Sequence, residues 1–332
     1  MFARHLAHLP RPASPMTSRP HPDAPAPEIF TRRRFLTAMS VAVGLTAVGG
    51  CGGGEVPTVR MAAGEPGGFY DAFARLLAAT AERAGTVRIE PVTTAGSLAN
   101  LELLVRGEVD SALALADSVI EAAPGPLAVG RVYENYLQLV VRADSPVRRV
   151  ADLRGARINL GNTGSGATAS GEKLLRAAGV DPVTEVTATH LPLSDAAAAL
   201  VTGRLDALLW AGGVPTAALD IPATMRLVDL ADVTAAMRDR FGYLYDPVLV
   251  PADAYPHTLA LRTIGIANLL VAAPALSETA AAALTDLLVG YADALVPAEA
   301  AGTQFLDVRS LIDTAGIALH PGAARVYRDR HG

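Results

Sequence analysis

Cysteine is all but missing from this chain: Cys51 is the only one in 332 residues. No internal disulfide can form, so the fold must be held by packing, and thiolate metal clusters are excluded. Histidine is sparse as well. Beyond the first fifty residues only His190, His257, His320 and His331 remain, and no two stand at metal-ligand spacing. Of the 28 basic residues a single one is lysine, Lys173. Residues 1–50 hold six of the 28 basic and two of the 33 acidic residues, which leaves 22 against 31, or −9, for the remainder. No basic cluster follows that leader, so a nucleic-acid partner, which needs positive surface against phosphates, is excluded. The apolar stretch Ala38–Gly50 would span only ~20 Å as a helix against a bilayer core of ~30 Å, too short for a transmembrane segment.

What is present is apolar and long enough to fold. Hydrophobic residues make up 51% of the chain and charged residues 18%, a balance that builds sizeable cores, and the length suits two domains. Residues 1–30 are rich in Pro, His and Ala without periodicity, and translation can begin at Met1 or Met16. Thr31-Arg32-Arg33-Arg34-Phe35-Leu36 resembles a twin-arginine export signal, and the apolar stretch after it reads as its h-region. Val48-Gly49-Gly50-Cys51 resembles a bacterial lipobox, with Cys51 the lipidation site and Gly52-Gly53-Gly54 the start of a tether. The expected organisation is a signal peptide and lipobox over 1–51, a tether over 52–57, a first lobe from 58–142 plus 264–332, and a second lobe over 143–263.

Strands and helices alternate after the tether. Thr58–Ala62 reads as a strand, Phe69, Phe73, Leu76 and Leu77 as one face of a helix, Val87–Val92 as a strand, and Ser97 onward as a helix stopped at Gly107. Val109–Leu115 is a buried strand. Arg157–Leu160 and the helix through Leu174 and Leu175 repeat the logic, and Leu200-Val201-Thr202-Gly203-Arg204-Leu205-Asp206 echoes Leu104-Val105-Arg106-Gly107-Glu108-Val109-Asp110. Such alternation predicts parallel α/β lobes. Tyr136–Val141 and Asp246–Pro251 are expected to link them as a hinge, and Ser277 to about Leu295 to form a long helix covering the first lobe.

Three strand-to-helix turns are glycine-rich: 64–68, 94–97 and 161–166. The first N–H groups of a helix are unpaired and its dipole is positive there, so each turn can hold an anion. Spread over two lobes, the three together point to a cleft that grips a small anionic solute. Other chemistry finds no support. Gly161–Gly166 lacks the dinucleotide spacing, the stretch to Lys173 is one residue too long for a P-loop, and Ser165 lacks the flanking glycines of a hydrolase elbow. No catalytic residue, metal site or cofactor is expected. Trp210, Tyr243 and Tyr245 are candidates for walls of the cleft, or for ordinary core.

In order along the chain, Gly64-x-x-Gly67-Gly68-Phe69-Tyr70, Thr94-Ala95-Gly96-Ser97-Leu98-Ala99-Asn100-Leu101, Asp152-Leu153-Arg154-Gly155, Gly164-Ser165-Gly166, Gly213-Val214-Pro215 and Val250-Pro251-x-x-x-Tyr255 resemble the TAXI family, solute receptors of TRAP transporters. The resemblance implies a two-lobed, type II periplasmic-binding-protein-like α/β fold, no enzymatic activity, and a glutamate-like or dicarboxylate ligand handed to an ion-driven permease. It implies ligand contacts from Gly68, Phe69, Tyr70, Ser97 and Asn100 on the first lobe. Ser165, Gly166, Trp210 and Gly213 answer from the second. The family usually has Thr after Gly-Ser-Gly; here Ala167 stands there and Thr168 follows, so either Thr168 takes over or a hydrogen bond is absent. Asp117 either lines the cleft or caps the next helix. The chain is then expected to be a monomeric, lipid-anchored, extracytoplasmic receptor. The alternatives are a ligand-sensing subunit of a membrane signalling system, or an enzyme using Ser165.

Overall fold

Short apolar stretches, each followed by a glycine-bearing turn and an amphipathic run, set the alternation of strand and helix. The computed structural model describes residues 56–122, 125–216, 219, 224–256, 258–297 and 306–331, within a single unit spanning Glu55–Gly332. The export signal, the lipobox with Cys51 and most of the tether lie outside the described residues.

The first half runs β1 (Thr58–Ala62), α1 (Phe69–Ala84), β2 (Arg88–Val92), α2 (Ser97–Val105), β3 (Ser111–Leu115) and α3 (Ala116–Glu121), and then enters the long β4 (Leu127–Arg142). Helix α1 forms because Phe69, Phe73, Leu77 and Ala81 recur on one buried face, and it ends where Gly85 takes a left-handed turn at φ 67°. The second half repeats the order with β5 (Arg157–Asn159), α4 (Gly166–Ala177), β6 (Thr187–Thr189), α5 (Leu193–Val201) and β7 (Ala207–Gly212). After β8 (Met225–Leu227), α6 (Ala231–Phe241) and β9 (Tyr245–Val250), the chain returns through β10 (Leu261–Ala272). It closes with α7 (Glu278–Gly290), α8 (Val308–Leu311) and α9 (Pro321–His331).

All ten strands share one sheet whose main path is β2-β1-β3-β10-β4-β7-β5-β6, with β8 paired to β4 and β9 to β10. The order β2-β1-β3 in the first half and β6-β5-β7 in the second is the same order twice, each with parallel pairing. The central strands β3 and β7 are buried at every residue, as strands covered on both faces must be. The duplication reaches side-chain detail. Asp110 accepts from the Arg60 N–H at 2.8 Å and from its guanidinium, which also donates to Gly107 O. Asp206 accepts from the Arg157 N–H at 2.8 Å and from its guanidinium, which also donates to Gly203 O. Both aspartates belong to the sequence echo.

β4 and β10 are the two strands that pass through both halves. β4 pairs with β10 over Leu127–Tyr136 and with β7 over Tyr136–Val141. β10 pairs with β9 over Leu261–Ile266 and with β3 over Asn268–Ala272. Tyr136–Val141 is thus part of a crossing strand as expected, whereas Asp246–Pro251 is not the second link. Residues 246–250 lie in β9, which is paired along its length with β10 and so is no free connection. The expected helix from Ser277 to Leu295 is also shorter: α7 stops at Gly290, Tyr291 leaves helical geometry at φ −129°, and Ala292–Leu295 makes a separate 3-10 turn. α7 and α9 cover the first half, placing Leu284, Leu287 and Tyr327 in its core, with the Tyr327 hydroxyl donating to Val129 O at 2.8 Å.

Candidate functional site

The starts of α1, α2 and α4 converge on one cavity of about 50 Å³, walled further by the ends of β3 and β7 and by Asn135 of β4. A water needs on the order of 10–15 Å³, so the space admits a small solute. Two of the three helices begin without a side-chain cap: Gly68 precedes α1 and Gly96 precedes α2. Their leading N–H groups are free of both side-chain caps and intrahelical partners, and carry the positive end of the helix dipole.

The halves touch at this point. The Ala99 N–H of α2 donates to Gly164 O at 3.0 Å. A Cβ at Gly166 would lie 2.6 Å from Leu115 Cδ1 and 2.7 Å from Ser97 Oγ, so only glycine lets the α4 start sit against α2. Gly96, at φ 123°, is another position where geometry requires glycine, and its missing side chain faces Ser165.

Of the residues expected at the site, Gly68, Phe69, Tyr70 and Ser97 line the cavity from the first half; Ser165, Gly166, Ala167 and Trp210 line it from the second. Their hydroxyls are largely committed within the protein. Tyr70 donates to Asn268 Oδ1, which leaves Ser97 to donate to Tyr70 across 3.1 Å while accepting from the Leu115 N–H at 3.1 Å. Burial pushes the Tyr70 phenol far above its ordinary range, so it stays protonated. Ser165 caps α4 by accepting from the Thr168 N–H, and its hydroxyl lies 3.3 Å from that of Thr168. Backbone amides are therefore the donors left to face a ligand.

Four expected residues do not line the cavity. Asn100 is fully buried and donates to Ala62 O, Ala63 O and Leu113 O, tying α2 to the end of β1 and the middle of β3. Asp117 is turned into a buried cluster with Ser170, Lys173 and Tyr245, and neither walls the cleft nor caps α3, whose cap position is Leu115. Thr168 donates to Asn162 O and so steadies the turn before α4; it does not take the place that Ala167 vacates. Gly213 offers its carbonyl to Thr216 and Gln138. Tyr243 is 82% exposed and Tyr245 is spent on Asp117, so neither walls the cavity.

Trp210 does so because its indole N–H is anchored to Thr216 Oγ1 at 3.2 Å. The Thr216 N–H in turn donates to the Tyr255 hydroxyl, whose pKa burial pushes up to about 12 and which donates to Gln138 Oε1. Sequence reasoning missed Glu65, Asn135, Leu115 and Ala211. Glu65 sits inside a motif already recognised, and a charged residue within a glycine-rich ligand turn was the available signal. The others lie in strands, where alternation reports burial and not which end faces a cavity. Glu65 is half-buried; burial raises its pKa while the Leu193 N–H at the start of α5 pulls it back.

Residues 61–330 match the model of the NMT1-like family. The chain belongs to the NMT1-like family. Solved structures share its fold at low identity. A protein from Xanthomonas citri bound to ATP, XAC2383, is 14% identical at a TM-score of 0.50, over 82% of this chain and 98% of that one. PhnD1 from Prochlorococcus marinus in complex with methylphosphonate is 12% identical at a TM-score of 0.50, over 71% and 85%. A substrate-binding protein of an amino acid ABC transporter reaches 0.47 at 16% identity, over 72% and 95%. The periplasmic-binding-protein-like α/β fold expected from sequence is the fold found. Ser165 has only Thr168 as side-chain partner, not a base. Among the described residues no group of three or more His, Cys, Asp or Glu is placed to hold a metal, and no helix is long and apolar enough to cross a membrane.

Proposed function

We propose that this chain is an extracytoplasmic, lipid-anchored receptor that captures a small carboxylate-bearing solute between two lobes and presents it to a membrane permease. The observation that carries the reading is the meeting of helix starts from both halves on one cavity, α1 and α2 from the first and α4 from the second. A ligand there touches both halves at once only when they are together, so binding favours the closed arrangement. The lobes divide near residues 142 and 263, and the bending elements are β4 and β10.

The sequence motifs at 64–70, 94–101 and 164–166 favour an ion-driven TRAP permease of the TAXI type as partner. The amino acid ABC transporter protein described above names the competing class. Uptake into cells stripped of ATP but holding an ion gradient, set beside the converse, separates the two. Radiolabelled palmitate should be incorporated by the full chain and lost with Cys51→Ser; unchanged labelling would remove the anchor.

The binding reading is tested by a thermal-shift screen of amino acids, mono- and dicarboxylates, sugars and metal ions on the purified protein. A carboxylate present at 100 times its Kd should add about 2.7 kcal/mol of stability. Response to sugars or metal ions alone would overturn it.

A further inference from the structure

The cavity lining carries both donors and acceptors. Helix starts supply donors, as described above. Among the described residues lining the cavity, Glu65 alone carries a formal charge at neutral pH, and neither Arg nor Lys is present to neutralise a ligand anion. A second acceptor stands with it. Asn135 is 4% exposed, its Nδ2 donates to Ala211 O at 3.2 Å, and its Oδ1 has no partner. The bond to a carbonyl fixes which end of the amide is nitrogen, because the reversed amide would set oxygen against oxygen. Buried polar atoms are nearly always paired, so an orphaned oxygen on a residue that lines the cavity points to a donor that a ligand would bring.

In a space of about 50 Å³, the groups that line it lie within reach of one small molecule. A ligand carrying only carboxylates would satisfy the helix starts and then bring like charge towards Glu65. A protonated amine would do the reverse: three N–H donors are enough for the Glu65 carboxylate and Asn135 Oδ1 together, and opposite charge keeps Glu65 ionised despite its burial.

We propose that Glu65 and Asn135 form a cation-accepting pole that selects a ligand bearing a protonated amine beside its carboxylate and rejects a second carboxylate. The proposal rests on the reading of this cavity as the solute site. It narrows that reading, since glutamate-like and dicarboxylate ligands become the disfavoured ones.

Isothermal titration of the purified full chain with neutral amino acids, their des-amino counterparts (propionate for alanine, acetate for glycine) and succinate tests it. The expected result is at least tenfold tighter binding of an amino acid than of its des-amino acid or of succinate. Glu65→Gln should weaken the amino acid at least tenfold while leaving the des-amino acid unchanged or tighter. Circular dichroism and melting of Glu65→Gln check that it folds, and Asn135→Leu should weaken the amino acid in the same direction. Des-amino acids or succinate binding as tightly as amino acids, or Glu65→Gln leaving amino acid affinity unchanged, would overturn this proposal and leave the receptor reading standing. Binding of sugars with no carboxylate of any kind would overturn both.

Discussion

Lys173 Nζ lies 3.1 Å from Asp117 Oδ2, an ion pair joining α4 of the second half to α3 of the first. The same oxygen accepts from Ser170 at 3.0 Å and from Tyr245 at 2.9 Å, and Lys173 also reaches Glu121 at 2.6 Å. With side-chain exposures of 11% and 2% this is a buried pair. Removing one partner of such a pair costs about 3–5 kcal/mol, because the other is left uncompensated. Asp117→Ala is expected at the lower end of that range, since Glu121 still faces Lys173; urea denaturation measures it.

The pair also has a pH signature. Burial works against the Lys173 ammonium, but Asp117 and Glu121 outweigh it and raise its pKa above the ordinary 10.5. A base with a raised folded pKa contributes fully below its unfolded value and loses that contribution as pH climbs through the folded one. Melting temperature should therefore fall more steeply above pH 10.5 in the native protein than in Lys173→Met.

Glu134 gives the opposite case on the acid side. Its Oε1 is buried without a hydrogen-bond partner, and Arg131 stands off at 3.6 Å. Burial raises its pKa above 4.5, Arg131 pulls it back, and Asp246 raises it further. The folded state then binds more protons than the unfolded state just above pH 4.5, so stability declines as pH rises through that window. In Glu134→Gln the decline should be shallower, measured as melting temperature between pH 4.5 and 7.

Gly166→Ala puts a methyl where Leu115 and Ser97 already stand, at 2.6 and 2.7 Å. Overpacking of this kind typically costs 1–3 kcal/mol, and here it opposes the approach of the two helix starts. Ligand affinity should drop at least tenfold, about 1.4 kcal/mol, with a larger radius of gyration by small-angle scattering. Full affinity in Gly166→Ala would mean that the ligand is held elsewhere.

Trp210 is the only tryptophan of the chain and walls the cavity at 7% exposure. Ligand binding is expected to shift its emission, and Trp210→Phe to abolish that signal.

The glycine-rich turns were legible because their composition has one cheap explanation, close backbone approach at a helix start. Gly68, Ser97, Ser165 and Gly166 were placed for that reason. Asn100 and Asp117 were misjudged for a different one. A polar residue near a ligand turn looks the same in sequence whether it faces the cavity or the strands beneath. Asp117 could be resolved only by Ser170, Lys173 and Tyr245, which are 53, 56 and 128 residues away. Asn135 stayed hidden inside a sixteen-residue strand whose alternation says nothing of the halves it crosses. The duplicated halves were readable from the Asp110 and Asp206 echo, because the same Arg–Asp clasp serves both.

β4 and β10 both run from one half into the other, hydrogen-bonded to each other over Leu127–Tyr136 and Gly265–Ala272 with two register shifts. Any parting of the halves must bend this paired ribbon over several peptide units, as a leaf spring bends, and cannot pivot on one loose joint. The angle between the halves is then set by the ribbon as a whole.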